Sequence, residues 1–314
     1  MQVVIHKGPK NAVIGLSRDE TLAHAGRLVM RHQTEQVAPV DWCVQPREGP
    51  DATQLDAGQV HRLRVATRRL RTTLRVFKPY YKAKAVQPVA RGLRDLAAAL
   101  SRAREQDVTV RALQHYHQSV DEETRTLLQP ILDDWQRTQV AERQSCSDYL
   151  ASERHAAWLR DLSAFTQSDA ADRPLQLGQS YYLRHALDGI ITGALEDIRA
   201  YDTLPLQPYV SDIHSLRIAI KRLRYLCEAL QEVLPAERAA AIISASTTAQ
   251  ADYGKIVDAR LSAQRALRFV AEHRGQYDNA QALRGILSFA REQQHTVDEG
   301  LAGWKRSIEP LLVL

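Results

Sequence analysis

Basic side chains recur at helical spacing between residues 60 and 80. Each residue of an α-helix advances by about 100° around the axis, so side chains three or four positions apart share one face. The basic face comprises His61, Arg64, Arg68, Arg71 and Arg75. A guanidinium group can donate two parallel hydrogen bonds to phosphate oxygens. One cation per turn, roughly every 5 Å, therefore predicts a site for a polymeric anion rather than for one small phosphate.

The same spacing returns 153 positions later, between residues 213 and 234. This second basic face comprises His214, Arg217, Lys221 and Arg224. Glu228 stands where the first segment has Arg75. Surface helices usually mix acidic with basic residues, yet eleven Lys or Arg and no acid lie between Asp56 and Asp95. Because an internal repeat preserves this self-repelling pattern, we expect an anion to offset it.

Apolar residues occupy the opposite side of both segments at the same helical spacing. In the first segment they are Leu63, Ala66, Leu70, Leu74 and Phe77. In the second they are Leu216, Ala219, Leu223, Cys227 and Leu230. This pattern predicts that each segment is an amphipathic helix that packs into a bundle with its basic face left open.

Helical periodicity elsewhere, without strand-like alternation, predicts an all-α protein. We expect an N-terminal arm (residues 1–16), a first helical-bundle half (17–166), a linker (167–177) and a second half (178–314) of like topology. Ser17 with Glu20 forms a capping-box pattern for the first helix, and Ser211–Asp212 are expected to cap the second basic helix. Helix breaks are predicted near Ser101 and before Ile256.

Composition limits the class of protein. The chain has 314 residues, 44% of them apolar and 25% charged, and a formal net charge of +5, which is typical of a folded soluble protein. Cys43, Cys146 and Cys227 form no Cys-x-x-Cys pair, so neither a disulfide framework nor a zinc site is indicated. With no signal-peptide pattern and no long apolar stretch, we expect a cytoplasmic protein with no membrane partner.

Two groups of motifs resemble the CHAD family, the conserved histidine α-helical domain. The first group is HRLRVATRRLR (residues 61–71) followed by ALSRAREQDV (residues 99–108). The second is HSLRIAIKRLRY (residues 214–225) followed by Gln250, Gly254 and Asp258. This resemblance implies two four-helix bundles related by pseudo-twofold symmetry, with a basic pore or groove between them. It also implies that the ligand is inorganic polyphosphate and that the protein associates with polyphosphate granules.

The expected site residues combine the basic faces with the family motifs. The expected polyphosphate contacts are His61, Arg64, Arg68, Arg71, Arg75, Arg94, Arg104, His214, Arg217, Lys221, Arg224 and Lys255. Asp107 and Asp258 are expected to position these cations, because a carboxylate repels a polyanion. The chain departs from the family pattern at Ser101, Glu105 and Val257, where the family has Gly, Asp and Asn.

The two repeated histidines, His61 and His214, lie near the starts of their helices, where backbone N–H groups also favour anions. Bound phosphate favours imidazolium and therefore raises the histidine pKa. We expect the affinity for polyphosphate to increase from pH 8 to pH 6.

Three other classes of protein, an enzyme, a nucleic-acid-binding protein and a scaffold, would be expected to show different sequence features. The sequence has no P-loop, His-Glu-x-x-His motif, nucleophile elbow or carboxylate cluster for Mg²⁺, so we expect no enzyme activity, cofactor or metal. A nucleic-acid-binding protein is one alternative, although only 6% of residues are aromatic and no base-stacking platform is evident. A scaffold that docks an acidic partner protein is another.

Overall fold

The computed structural model describes residues 15–36, 55–174, 181–273 and 280–314, together with Val13. Most of the predicted N-terminal arm and of the predicted loop after the first helix, including Cys43, lies outside the described residues. So do residues 175–177 of the predicted linker and residues 178–180 at the start of the predicted second half. All regular structure in the described part of the chain is helical, which confirms the all-α prediction.

The helices are numbered in chain order. Three short 3₁₀ helices, Lys78–Tyr80, Asp169–Ala171 and Ala200–Thr203, connect some of them. The α-helices are α1 (Leu22–Glu35), α2 (Ala57–Phe77), α3 (Ala83–Ser119), α4 (Glu122–Ala151), α5 (Glu153–Gln167), α6 (Leu183–Arg199), α7 (Val210–Ala229), α8 (Ala236–Glu272), α9 (Ala280–Ala302) and α10 (Trp304–Leu312).

The basic segments correspond to α2 and α7, and α2 begins with a capping box. The Asp56 side chain accepts from the Gln59 backbone N–H at 2.8 Å, and the Gln59 side chain accepts from the Asp56 N–H at 3.0 Å. These two bonds satisfy N–H groups that have no partner within the helix. The first basic face therefore starts from a fixed helix end.

The predicted cap of the first helix is wrong. Thr21, not Ser17, caps α1, because its hydroxyl accepts from the His24 N–H at 3.2 Å. Residues 18–22 instead pair with residues 181–184, as in the 2.9 Å bond from the Leu183 N–H to the Glu20 carbonyl. This long-range pairing keeps the segment extended and delays the helix by one turn.

The predicted cap of the second basic helix is also displaced. Helix α7 already begins at Val210, so Ser211 and Asp212 lie inside its first turn. Asp212 still supports the helix start, because its carboxylate accepts from the Tyr209 N–H at 3.2 Å.

The predicted breaks near Ser101 and Ile256 do not occur, because α3 and α8 each continue as one helix of 37 residues. Ser101 accepts a hydrogen bond from Arg64 on the neighbouring α2. Gly254, inside α8, leaves room for Arg217, since an added Cβ would lie 3.0 Å from its Nη2 atom. Residues near both predicted breaks therefore serve contacts between helices.

The sequence repeat corresponds to a repeated pair of helices. Val210 at the start of α7 lies 153 positions after Ala57 at the start of α2, and Ala236 lies 153 positions after Ala83. The long helices α3 and α8 that follow have equal lengths. The domain boundary and the pseudo-twofold symmetry of the two halves stay predictions.

The predicted apolar faces of α2 and α7 are confirmed, because every residue assigned to them is buried. They belong to a main apolar cluster that draws on helices from α1 to α10. A second cluster joins the distal ends of α3 and α4 to α8 and α9, around Trp135 and Phe289. Along α3 the main cluster ends at Ala103 and the second begins at Val110, which leaves a gap in the core between them.

The described helices are amphipathic or mixed in polarity and carry many charged residues. None of them combines the length and the apolar character needed to cross a bilayer.

Candidate functional site

Helices α2 and α7 present their basic faces to two adjoining cavities, of about 750 Å³ and about 500 Å³. Both cavities are bounded by residues of α2, α3 and α7. The residues common to both are Arg64, Arg68, Glu105, His214 and Arg217. The shared wall makes the two cavities parts of one continuous site.

The larger cavity lies in the gap between the two apolar clusters. From α2 and α3 it receives His61 and Arg104, in addition to the shared residues. Helix α8 contributes Asp258 and Arg260, and α9 contributes Gln294, which accepts from Arg260 at 3.2 Å. The exposed Tyr209, just before α7, stands at its edge.

The smaller cavity follows α2 and α7 towards their carboxyl ends. Arg71 and Arg75 line it from α2, one and two turns beyond Arg68. Lys221 and Arg222 line it from α7. The basic faces predicted from spacing are therefore brought together across one cleft.

The balance of charge in the combined site is strongly positive. Only two carboxylates, Glu105 and Asp258, stand among its lining residues. The lining contains nine arginine or lysine side chains: Arg64, Arg68, Arg71, Arg75, Arg104, Arg217, Lys221, Arg222 and Arg260.

None of these nine cations forms an ion pair within 4.0 Å with a carboxylate of the described residues. Arginines elsewhere do, as in the pair of Arg143 with Asp107 at 2.6 Å. Within the described chain, the buried Nε atom of Arg217 has no hydrogen-bond partner at all. Unneutralised cations at such density are costly unless an anion binds among them.

Burial and mutual repulsion lower the pKa of several of these groups. Burial, followed by the charge of Arg68, lowers the pKa of Arg64 to about 10 and that of Lys221 to about 6. Burial and nearby arginines also lower the pKa of His61 and of His214 below the ordinary value for histidine. Burial and the neighbouring cations therefore disfavour positive charge in this site, and a bound anion would offset that effect.

A profile of the CHAD domain family matches residues 47–267, a span that contains both basic helices. The chain belongs to the CHAD domain family. No curated protein sequence matches it significantly.

Two solved structures resemble this CHAD chain over nearly its whole length. The crystal structure of the CHAD domain from the plant Ricinus communis has a TM-score of 0.74 at 20% identity, covering 96% of this chain and 95% of that one. PptA from Streptomyces chartreusis has a TM-score of 0.63 at 14% identity, covering 93% and 98%. At such identities the likeness establishes a shared fold.

Most of the site residues predicted for this CHAD domain meet at the two cavities. The residues that line them are His61, Arg64, Arg68, Arg71, Arg75, Arg104, His214, Arg217, Lys221 and Asp258. Burial lowers the pKa of Arg217, and the opposite charge of Asp258 acts against that lowering; the positioning role of Asp258 stays a prediction.

Four predicted residues lie outside the linings of these cavities. Arg94 is exposed on α3, and Lys255 is 75% exposed and 4.0 Å from Asp252. Arg224 and Asp107 do not line the cavities either.

Arg224 and Asp107 are each engaged in an ion pair. Asp107 accepts from Arg143 at 2.6 Å and 2.9 Å and from Gln139 at 2.9 Å, so it joins α3 to α4 rather than pairing with Arg104. Arg224 lies 3.2 Å from Glu228.

The sequence reasoning missed three contributors to this region. Arg222 lines the smaller cavity, and its match to Arg69 in the repeat was the available signal. Glu228 accepts from Arg69 at 2.9 Å and thereby links α2 to α7, which explains an acid on an otherwise basic face. Arg260 belongs to none of the sequence motifs, and only its position on α8 shows that it lines the larger cavity.

Proposed function

We propose that this CHAD domain binds inorganic polyphosphate without hydrolysing it, through the combined site formed by α2 and α7. The observation that carries the proposal is the set of eight arginines and one lysine in the lining, none of which is paired with a carboxylate of the described chain. The family resemblance adds the identity of the anion, and with it the proposal of a cytoplasmic protein held on polyphosphate granules.

Polymer chemistry supports this ligand. Each interior phosphate carries about one negative charge, so a polymer can follow a row of fixed cations and release its counterions as a nucleic-acid backbone does. Arg64, Arg68, Arg71 and Arg75 supply such a row at roughly 5 Å per turn. The shared wall of the two cavities lets a single chain contact α2 and α7 together.

The histidines give the proposed interaction a defined pH dependence. Burial and the neighbouring cations lower the pKa values of His61 and His214 below the ordinary value, so both rings are mainly neutral at pH 7 before a polyanion binds. A polyanion favours their protonated forms. Binding takes up protons, and the affinity rises as the pH falls from 8 to 6.

The carboxylates of the lining support a binding role rather than hydrolysis. Glu105 and Asp258 lie among many more cations, and each opposes the lowering of the pKa of a neighbouring arginine, Arg64 and Arg217 respectively. We assign both acids to orienting guanidinium groups. In the described part of the chain, no group of three His, Cys, Asp or Glu side chains is arranged as a metal site.

Competition tests the proposed ligand directly. Labelled long-chain polyphosphate bound to the full chain is challenged at physiological salt with unlabelled polyphosphate, with DNA and with RNA. We expect polyphosphate to displace the label at far lower phosphate concentration than either nucleic acid. Equal displacement by DNA or RNA would instead favour a general nucleic-acid binder, for which aromatic stacking would be expected.

A further inference from the structure

Lys221 differs chemically from the eight arginines that line the site. It lies on α7 one turn after Arg217 and lines the smaller cavity, with 9% of its surface exposed. In the part of the chain that the structure describes, no carboxylate lies within 4.0 Å of its amine. At the matching position of the repeat, α2 carries Arg68, which has a guanidinium group in place of a primary amine.

Charged and titratable groups face Lys221 from four helices. They are Arg64, Arg68, Arg71 and Arg75 from α2, Glu105 from α3, His214, Arg217, Arg222 and Tyr225 from α7, and Asp258 from α8. Burial is the largest cause that lowers the Lys221 pKa, followed by Arg68, Arg217 and Arg64, while Asp258 acts in the opposite direction. With a pKa of about 6, the side chain is mostly an uncharged and therefore nucleophilic amine at neutral pH.

We propose that Lys221 is a carbamylation site, at which its amine adds reversibly to carbon dioxide inside the smaller cavity. The nitrogen lone pair forms the new N–C bond, and one C=O bonding pair of carbon dioxide moves onto oxygen. The nitrogen then loses one proton to water. A neutral lysine and carbon dioxide thus become a carbamate anion and a proton, with no oxidant or reductant.

The cavity suits the product better than it suits the ammonium form of the same lysine. A carbamate places one negative charge where Arg64, Arg68 and Arg217 otherwise repel a cation. Guanidinium groups can donate charge-assisted hydrogen bonds to its two oxygens. The cavity, at about 500 Å³, has room for the added atoms.

Carbamylation of Lys221 does not require the proposed polyphosphate binding to be correct. If both occur, the carbamate and the polymer compete for the same arginines. A resident carbamate supplies part of the negative charge that the polymer would bring. We therefore expect carbon dioxide to weaken polyphosphate binding. Because the reaction consumes the free amine and releases a proton, carbamate occupancy at fixed dissolved carbon dioxide rises with pH between 6 and 8.

The test uses the folded full chain and ¹³C-labelled bicarbonate at neutral pH, without polyphosphate. We expect one carbamate carbonyl resonance, and we expect trapping with triethyloxonium followed by peptide mass spectrometry to place the added carboxyl group on Lys221. Lys221→Arg should lose the resonance. Lys255→Arg, which removes an exposed lysine outside the cavities, should keep it.

The outcomes separate this inference from the proposed function. A missing resonance in the folded wild-type protein, or a trapped carboxyl group on another lysine, overturns carbamylation of Lys221. If Lys221→Arg fails to fold, mapping of the trapped group in the wild-type protein still decides. If the protein fails to bind polyphosphate in buffer free of carbon dioxide, yet forms a carbamate on Lys221 when bicarbonate is added, the proposed function alone is rejected. If it binds polyphosphate but forms no carbamate, this inference alone is rejected.

Discussion

Removing two cations from the shared wall of the cavities should weaken polyphosphate binding far more than removing two cations elsewhere. The test variant combines Arg64→Gln with Arg217→Gln. Both of these arginines line both cavities. The control variant combines Arg94→Gln with Lys255→Gln. Neither of these residues lines either cavity. Both variants lower the net charge by two, so long-range attraction changes equally.

The expected magnitude follows from the contacts that are lost. A hydrogen bond to a charged group contributes about 1.5–3 kcal/mol, so two lost guanidinium contacts cost about 3–6 kcal/mol. At about 1.4 kcal/mol per factor of ten, the affinity falls by roughly 10²- to 10⁴-fold. Each lost phosphate contact also reduces the slope of log K against log salt by about 0.7 for a flexible single strand, so the slope falls by about 1.4.

Fluorescence anisotropy of labelled long-chain polyphosphate, measured at several salt concentrations, gives the affinity and the slope together. Circular dichroism and thermal unfolding show whether each variant is folded. We expect the test variant to remain folded, because Arg64 and Arg217 are desolvated cations without ion pairs among the described residues. The reasoning is refuted if both variants lose affinity equally, or if the test variant keeps the wild-type slope.

Three further perturbations give distinct results. In the wild-type protein, the free energy of unfolding should rise between pH 6 and pH 10 by at most about 1.4 kcal/mol per pH unit, because the Lys221 pKa is about 6 in the folded protein and about 10.4 in the unfolded chain. Lys221→Met should remove this pH dependence. Urea unfolding at several pH values measures it. His61→Gln with His214→Gln should flatten part of the rise in polyphosphate affinity between pH 8 and pH 6, and wild-type pH dependence in this folded variant would exclude the histidines from the site. Asp107→Ala should lower the free energy of unfolding by about 3 kcal/mol, because it leaves Arg143 without its carboxylate, yet leave polyphosphate affinity unchanged; a large loss of affinity in folded protein would place Asp107 in the site.

The part of the site that could be predicted from sequence depends on local periodicity. Helical spacing alone placed His61 and Arg64 on one face and Leu63 and Leu70 on the other, because a helix fixes those relations within a few residues. The repeat then indicated a second copy with the same arrangement. The structure confirms the buried faces and brings both basic faces to adjoining cavities.

The features that sequence reasoning missed depend on contacts between distant segments. Glu228 pairs with Arg69 across 159 positions, and no local pattern specifies that partner. A helix break was predicted before Ile256, but α8 continues there, and the missing side chain of Gly254 accommodates Arg217. Arg260 enters the larger cavity only because α8 continues past Ile256 as one long helix.

The most direct test of the central proposal is a binding series across polyphosphate chain lengths, with the incubated polymer analysed for shorter products. We expect affinity to increase with chain length and to level off once one chain contacts both cavities, and we expect the polymer to be recovered intact. Weak binding that does not depend on length would contradict the polymer site and favour a scaffold for an acidic protein. Release of shorter chains or orthophosphate would contradict the non-catalytic role.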